Sequence, residues 1–217
     1  PEHFIPAIEE GIRIQLAEID SITKNPEAPT FENTVLAYEK SGRLLARATA
    51  ILSGLVGADG TEELQKIDEE TTPMLSNHQD ALLLNEKLFA RIKAVYDQRS
   101  SLKGEDLRLT ELLYDQFVHE GALLSAADKE ALKKINSEIA VLQTKFTNQV
   151  NAGTKAAAVL VDRVEDLDGL SEEAIARAAE AATQAGQKGK YLLEQANTTR
   201  PGYIAELNNR DLRRRVL

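Results

Sequence analysis

The sequence contains no cysteine, and that absence removes thiol catalysis, disulfide bridges and thiolate metal sites together while leaving the redox compartment open. Histidine is nearly as scarce: His3, His78 and His119 are the only three. No apolar run approaches the roughly 20 residues that span a bilayer, and nothing near the start reads as a signal peptide. A soluble chain with no membrane partner is expected, in the cytoplasm, with the periplasm as the alternative. Positive charge is in deficit, with 26 Lys and Arg against 35 Asp and Glu and a formal net charge of −9. Such a surface repels a phosphate backbone, so a nucleic-acid partner is disfavoured.

What is present is a globular composition: 217 residues, 42% of them hydrophobic, enough to bury a sizeable core. The chain opens on Pro1 and ends on Arg213-Arg214-Arg215-Val216-Leu217 with no helix-stop residue. Both ends read as cut, and the expectation is a piece of something longer.

Apolar spacing predicts mostly helix. Ile8, Ile12, Leu16 and Ile19 recur at helical intervals, and Asn25-Pro26-Glu27-Ala28-Pro29 interrupts them. Thr30 then caps a predicted long helix with Phe31, Val35, Tyr38 and Leu45 on one face. This helix crosses Ser41-Gly42 and ends at Gly54 and Gly57. Thr61 caps the next, with Glu62 and Glu63 favouring its N-terminal dipole. Pro73 either kinks that helix or begins another. Asn85 opens one that buries Leu88, Ile92 and Val95. After Ser125-Ala126-Ala127-Asp128, which has capping-box spacing, Leu132, Ile135, Ile139, Leu142 and Phe146 repeat in alternating steps of three and four. This seam calls for a partner helix. An intramolecular antiparallel bundle is preferred over coiled-coil dimerisation because the pattern spans too few heptads.

Beyond Asn151 the texture changes. Ala158-Val159-Leu160-Val161-Asp162 reads as a short strand, Ser171 caps an alanine-rich helix, and Tyr191-Leu192-Leu193 reads as a second strand, paired either parallel or antiparallel. The expected fold is mainly α: an antiparallel helical bundle over residues 1–152, with a small strand-helix-strand element over 153–217.

Phe117-Val118-His119-Glu120-Gly121-Ala122-Leu123 begins like the zinc-peptidase signature H-E-x-x-H, in which two His one turn apart reach one metal and the Glu acts as general base. Here the second His position is Leu123, and Gly121 suits a helix terminus. His119 is therefore read as a helix-end residue near the C-terminal dipole. A di-iron Glu-x-x-His pair fails because Leu75 and Gln116 stand three residues before His78 and His119. Gly189-Lys190 fails as a phosphate loop, since Gln184 replaces the first Gly and Tyr191 follows the Lys. Arg210, Arg213, Arg214 and Arg215 read as a solvated face, because Leu207, Leu212 and Val216 supply an apolar side. No Ser-His-Asp arrangement can be argued. No catalytic, cofactor-binding or metal-binding residue is assigned, and the chain alone is expected to bind no metal.

Several strings in order carry a resemblance: Pro29-Thr30-Phe31-Glu32-Asn33-Thr34-Val35 with Tyr38-Glu39-Lys40-Ser41-Gly42, then Glu63-Leu64-Gln65-Lys66 and Asn85-Glu86-Lys87-Leu88-Phe89-Ala90-Arg91. Phe117-Val118 with Gly121-Ala122, Leu167-Asp168-Gly169-Leu170-Ser171, Asn197-Thr198-Thr199 and Asn209-Arg210-Asp211-Leu212-Arg213 continue it over essentially the whole chain. Together they resemble the N-terminal portion of bacterial peptidyl-dipeptidases, dipeptidyl carboxypeptidases of the thimet-oligopeptidase-like zinc metallopeptidase family. The resemblance implies a neurolysin-like N-terminal domain. It further implies a parent enzyme whose zinc and Glu base release dipeptides from the C-termini of oligopeptides. In that family this portion forms one wall of a deep channel and the zinc motif lies in a later segment, so the partners implied are the remaining polypeptide and the oligopeptide substrate. The other reading is a stand-alone helical interaction module.

Overall fold

The computed structural model describes residues 1–217, the side chain of Asp59 excepted. The fold is mainly α and divides into two compact units, Pro1–Lys145 and Phe146–Leu217.

In the first unit, α1 (Phe4–Thr23) buries Ile8, Gly11, Ile19 and Ile22 on one stripe, while Leu16 is left exposed. The next elements depart from the single long helix expected after Thr30. Thr30 does cap: its hydroxyl accepts from the Asn33 N–H at 3.1 Å, and the Asn33 side-chain Oδ1 accepts from the Thr30 N–H at 2.9 Å. The turn it opens is π-helical (Phe31–Leu36), followed by the short α2 (Ala37–Glu39) and a break at Gly42. Gly42 sits at φ +69°, in the left-handed region that favours glycine. Its N–H donates to Glu18 Oε2 at 2.8 Å, so α1 holds the break in place. The interruption sends Leu45 to a different apolar cluster from Phe31 and Val35.

A new helix, α3 (Arg43–Asp59), then runs straight through Gly54 and Gly57, contrary to the expected stop there. A Cβ at either glycine would meet open space, so tertiary packing neither requires nor exploits their freedom. By contrast, Gly11 lets α1 approach α3 closely, since a Cβ there would lie 2.8 Å from Leu45 Cα.

The helix α4 (Glu62–Leu83) begins on the Thr61 cap and continues unbroken past Pro73. Proline brings no N–H to its own turn. The hydroxyls of Thr71 and Thr72 donate to the Ile67 and Asp68 carbonyls just before it, at 2.9 and 2.7 Å. Asn85 caps α5 (Glu86–Asp97), with its side-chain oxygen accepting from Lys87 and Leu88, and α5 packs on α6 (Gly104–His119). The core between them is aromatic. Phe117 is fully buried, edge-on to Tyr38 at 5.7 Å and stacked with Phe89 at 6.1 Å.

The long α7 (Ala126–Ala156) starts on Ser125, whose hydroxyl oxygen accepts from the Asp128 N–H. Its seam is not buried against the bundle, contrary to the preferred reading: Ile135, Ile139, Leu142 and Phe146 are all exposed. The face turned toward α4 carries polar contacts beside Ile139 and Ala140. Asn136 Nδ2 donates to Asp80 Oδ1 at 2.7 Å, Thr144 and Thr72 share a hydrogen bond at 3.1 Å, and the buried Lys129 pairs with Glu86.

In the second unit, β1 (Val159–Val161) pairs antiparallel with β2 (Tyr191–Leu193), with Val159 opposite Leu193. This settles the orientation that the sequence left open. A 3₁₀ turn (Val164–Leu167) and α8 (Glu172–Gln184), capped by Ser171, connect the strands. The short helices α9 (Arg200–Glu206) and α10 (Arg210–Val216) close the core with Leu207, Leu212 and Val216.

Candidate functional site

The stretch around His119 is a helix end. α6 terminates at His119, and Gly121 takes φ +97°. The Gly121 N–H donates to the Val118 carbonyl and the Ala122 N–H to the Phe117 carbonyl, at 3.1 and 2.9 Å. This pair of bonds is a Schellman termination. A Cβ at Gly121 would come within 2.8 Å of both Leu124 and Leu132, a second reason for glycine there. Leu123, in the place of a second zinc-binding histidine, lies beyond the helix and is 62% exposed. His119 is exposed as well.

The other two histidines occupy unrelated settings. His3 is exposed beside Glu2. His78 is buried in α4, and its Nε2 lies 2.7 Å from Gln15 Oε1 of α1. Gln15 Nε2 in turn donates to Ser41 Oγ, joining α1, α4 and the Gly42 break. His78 Nδ1 is buried without a hydrogen-bond partner among the described residues. Burial holds the His78 pKa below its ordinary value, because the charged ring would be poorly solvated.

The sign of the resulting pH dependence follows. Unfolded His78 takes up a proton near pH 6.5, and the folded protein does so only at lower pH. The stabilisation from the neutral ring is therefore complete above about pH 6.5 and is lost as pH falls from there toward the folded pKa. Urea midpoints at pH 7.5 and 5.5 are expected to differ less in His78→Gln than in the parent; equal differences would refute this assignment.

These side chains do not fit a zinc site. Among the described residues no group of three or more His, Asp or Glu stands close enough to hold a metal ion. The Arg-rich end is structural: Arg213 donates to the Leu207 carbonyl and Arg215 to the Leu160 carbonyl, while Leu212 and Val216 are buried. Lys190 pairs with Asp162 at 2.8 Å beside the strand pair, so Gly189-Lys190 serves a turn.

Two polar features carried no sequence signal. Arg91 of α5 donates to the carbonyls of Asn25 and Glu27 and to Asn33 Oδ1, fastening the proline-flanked loop to the Thr30 cap. A groove of about 540 Å³ lies between α4 and α7, lined by Thr72, Ser76, Gln79, Asp80, Glu120 and Gln143 among others. Asp80 is buried there, with Oδ2 lacking a hydrogen-bond partner among the described residues. The groove offers carboxylates and amides for polar contact, with no nucleophile paired to a base. Only the fold brings together residues this far apart in sequence.

Comparison with known proteins supplies what this geometry does not. The chain is 39% identical to the dipeptidyl carboxypeptidase of Escherichia coli over 216 residues, 99% of this chain and 32% of that protein. With the dipeptidyl carboxypeptidase of Salmonella typhimurium it shares 39% identity over 213 residues. By sequence, the chain belongs to the thimet-oligopeptidase-like family. The oligopeptidase A of Haemophilus influenzae is a more distant relative, 27% identical over 200 residues and 89% of this chain. The chain spans about a third of the length of these relatives, at 32%, 31% and 29%. No family model matches the sequence. Several of the strings on which the sequence resemblance rests punctuate the fold: the Thr30 and Asn85 caps, the Gly42 break, the Gly121 termination and the Asp168-Gly169 loop.

Proposed function

We propose that this chain is the substrate-channel portion of a zinc peptidyl-dipeptidase that releases C-terminal dipeptides from oligopeptides. In this reading it is the N-terminal part and is inert by itself. The observation that carries the reading is 39% identity across 99% of the chain to a dipeptidyl carboxypeptidase of which it spans only 32%. The polypeptide beyond these residues would supply the zinc ligands and the Glu general base. This chain's helices form a wall that admits unfolded oligopeptides and excludes folded proteins. No helix among the described residues is long and apolar enough to cross a membrane.

A direct experiment follows. The 217-residue chain is expected to take up no stoichiometric Zn²⁺ and to hydrolyse no peptide, because among the described residues no three His, Asp or Glu side chains stand together to offer tetrahedral N/O coordination. The longer polypeptide read from the same gene is expected to bind one zinc and release dipeptides. Tight one-to-one zinc uptake by the short chain, lost in His119→Ala, would overturn the proposal. So would a stop codon directly after Leu217. The second reading, a helical interaction module, is favoured by a single observation, the exposed apolar residues of α7.

A further inference from the structure

Thr72, Ser76 and Asp80 recur at every fourth position of α4 and share the face that forms the groove of about 540 Å³ with α7. Every residue lining this groove belongs to the first unit. Asp80 is the most deeply buried of them, at 7% exposure. Its Oδ1 accepts from Asn136 Nδ2 at 2.7 Å, whereas its Oδ2 has no hydrogen-bond partner among the described residues. Withdrawing a carboxylate oxygen from water without a donor in exchange is costly, and a neighbouring cation is the usual compensation. The groove supplies none: the charged side chains that line it are Asp80 and Glu120, both acidic. The buried Lys129 of α7 is held by Glu86 instead.

Few chemical groups would complete such a site. An anion is repelled by two carboxylates. A divalent metal ion takes six or more oxygen ligands, several of them charged, and among the described residues no group of three or more His, Asp or Glu stands together. A guanidinium pairs best with both oxygens of a carboxylate at once, but Asn136 already occupies Asp80 Oδ1. A primary ammonium is a compact point charge with three N–H donors. It can give one to Asp80 Oδ2, with the Thr72 and Ser76 hydroxyls as acceptors on the same face. Leu75, Ile139 and Ala140 add apolar wall for an alkyl stem.

From this we infer that the groove between α4 and α7 binds an alkylammonium group, with Asp80 as its counter-ion. The site needs no residue outside this chain and is independent of the peptidase reading.

Backbone amide shifts of the isotope-labelled 217-residue chain, followed while cadaverine, an unbranched five-carbon diamine, is added at constant ionic strength, test this. Saturable one-to-one shifts centred on Ser76, Asp80, Asn136 and Gln143 are expected. Asp80→Asn keeps the oxygen that Asn136 uses and removes the charge, and it is expected to weaken binding at least about tenfold. Glu138→Gln removes an equal charge from an exposed α7 position outside the groove and is expected to leave the affinity within about twofold. Gln143→Glu adds a carboxylate to the groove lining and is expected to tighten binding about twofold, a gain that partial unfolding cannot imitate. Two capped amino acids distinguish the source and the head group. Binding of Nα-acetyl-lysine amide supports a peptide side chain as the ligand, and binding of the diamine alone supports a free amine. Equal or tighter binding of Nα-acetyl-arginine amide overturns the ammonium assignment. Shifts that never saturate, an affinity unchanged in Asp80→Asn, or a loss in Glu138→Gln as large as in Asp80→Asn would show general attraction to an acidic surface and overturn the site.

Discussion

Gly169→Ala is expected to destabilise the second unit by about 3–5 kcal/mol. Gly169 has φ +99°, and an added Cβ would fall 2.0 Å from the Glu206 carbonyl oxygen and 3.0 Å from the Asn208 nitrogen. Those atoms are backbone, and they are pinned: the Asn208 N–H donates to the Asp168 carbonyl at 2.8 Å, and Asn208 Nδ2 to Asp168 Oδ2 at 2.9 Å. Positive φ costs a side chain about 1–2 kcal/mol, forced repacking about 1–3, and the loss of the Asn208 bond about 1. Gly186→Ala is the control, because Gly186 also has positive φ but faces open space. It is expected to cost only the conformational part. Hydrogen exchange at Val159–Val161 and Tyr191–Leu193, together with urea unfolding of the whole chain, reads both variants. If the two behave alike, the Asp168–Asn208 clasp is not what organises this unit.

Phe117→Ala is expected to cost the first unit about 3–5 kcal/mol, the range for deleting a buried aromatic side chain. The ring is fully buried and touches both Tyr38 and Phe89. Two residues on, His119→Ala is expected to change stability by no more than about 0.5 kcal/mol, since its side chain is exposed. The contrast matters for function because it separates a helix end from a metal ligand. Were His119 a ligand in this chain, its removal would lower the melting temperature in zinc but not in chelator. The expected result is the same small change in both.

Several of the strings behind the resemblance act as physical punctuation. Asn33 completes the Thr30 cap and also receives the Arg91 guanidinium, so a single side chain joins the cap to a loop residue and to α5. Asn209 caps α10 and donates to Asp166, 43 residues earlier in the chain. Such residues tie segments distant in the chain to one another.

The linear sequence by itself determined the helical class, the caps at Thr30, Thr61, Asn85, Ser125 and Ser171, and the end of α6 at Gly121. Each depends on bonds between residues a few positions apart, and local spacing displays those directly. Only the tertiary structure decided that Gly42 breaks a helix while Gly54 and Gly57 do not, because the difference lies in Glu18 reaching the Gly42 N–H from another helix. It alone decided the antiparallel pairing of β1 and β2 and the rotation of α7. Apolar periodicity marks which residues share a face. Which face turns inward is set by partners such as Asp80 and Thr72, more than fifty residues away in the chain.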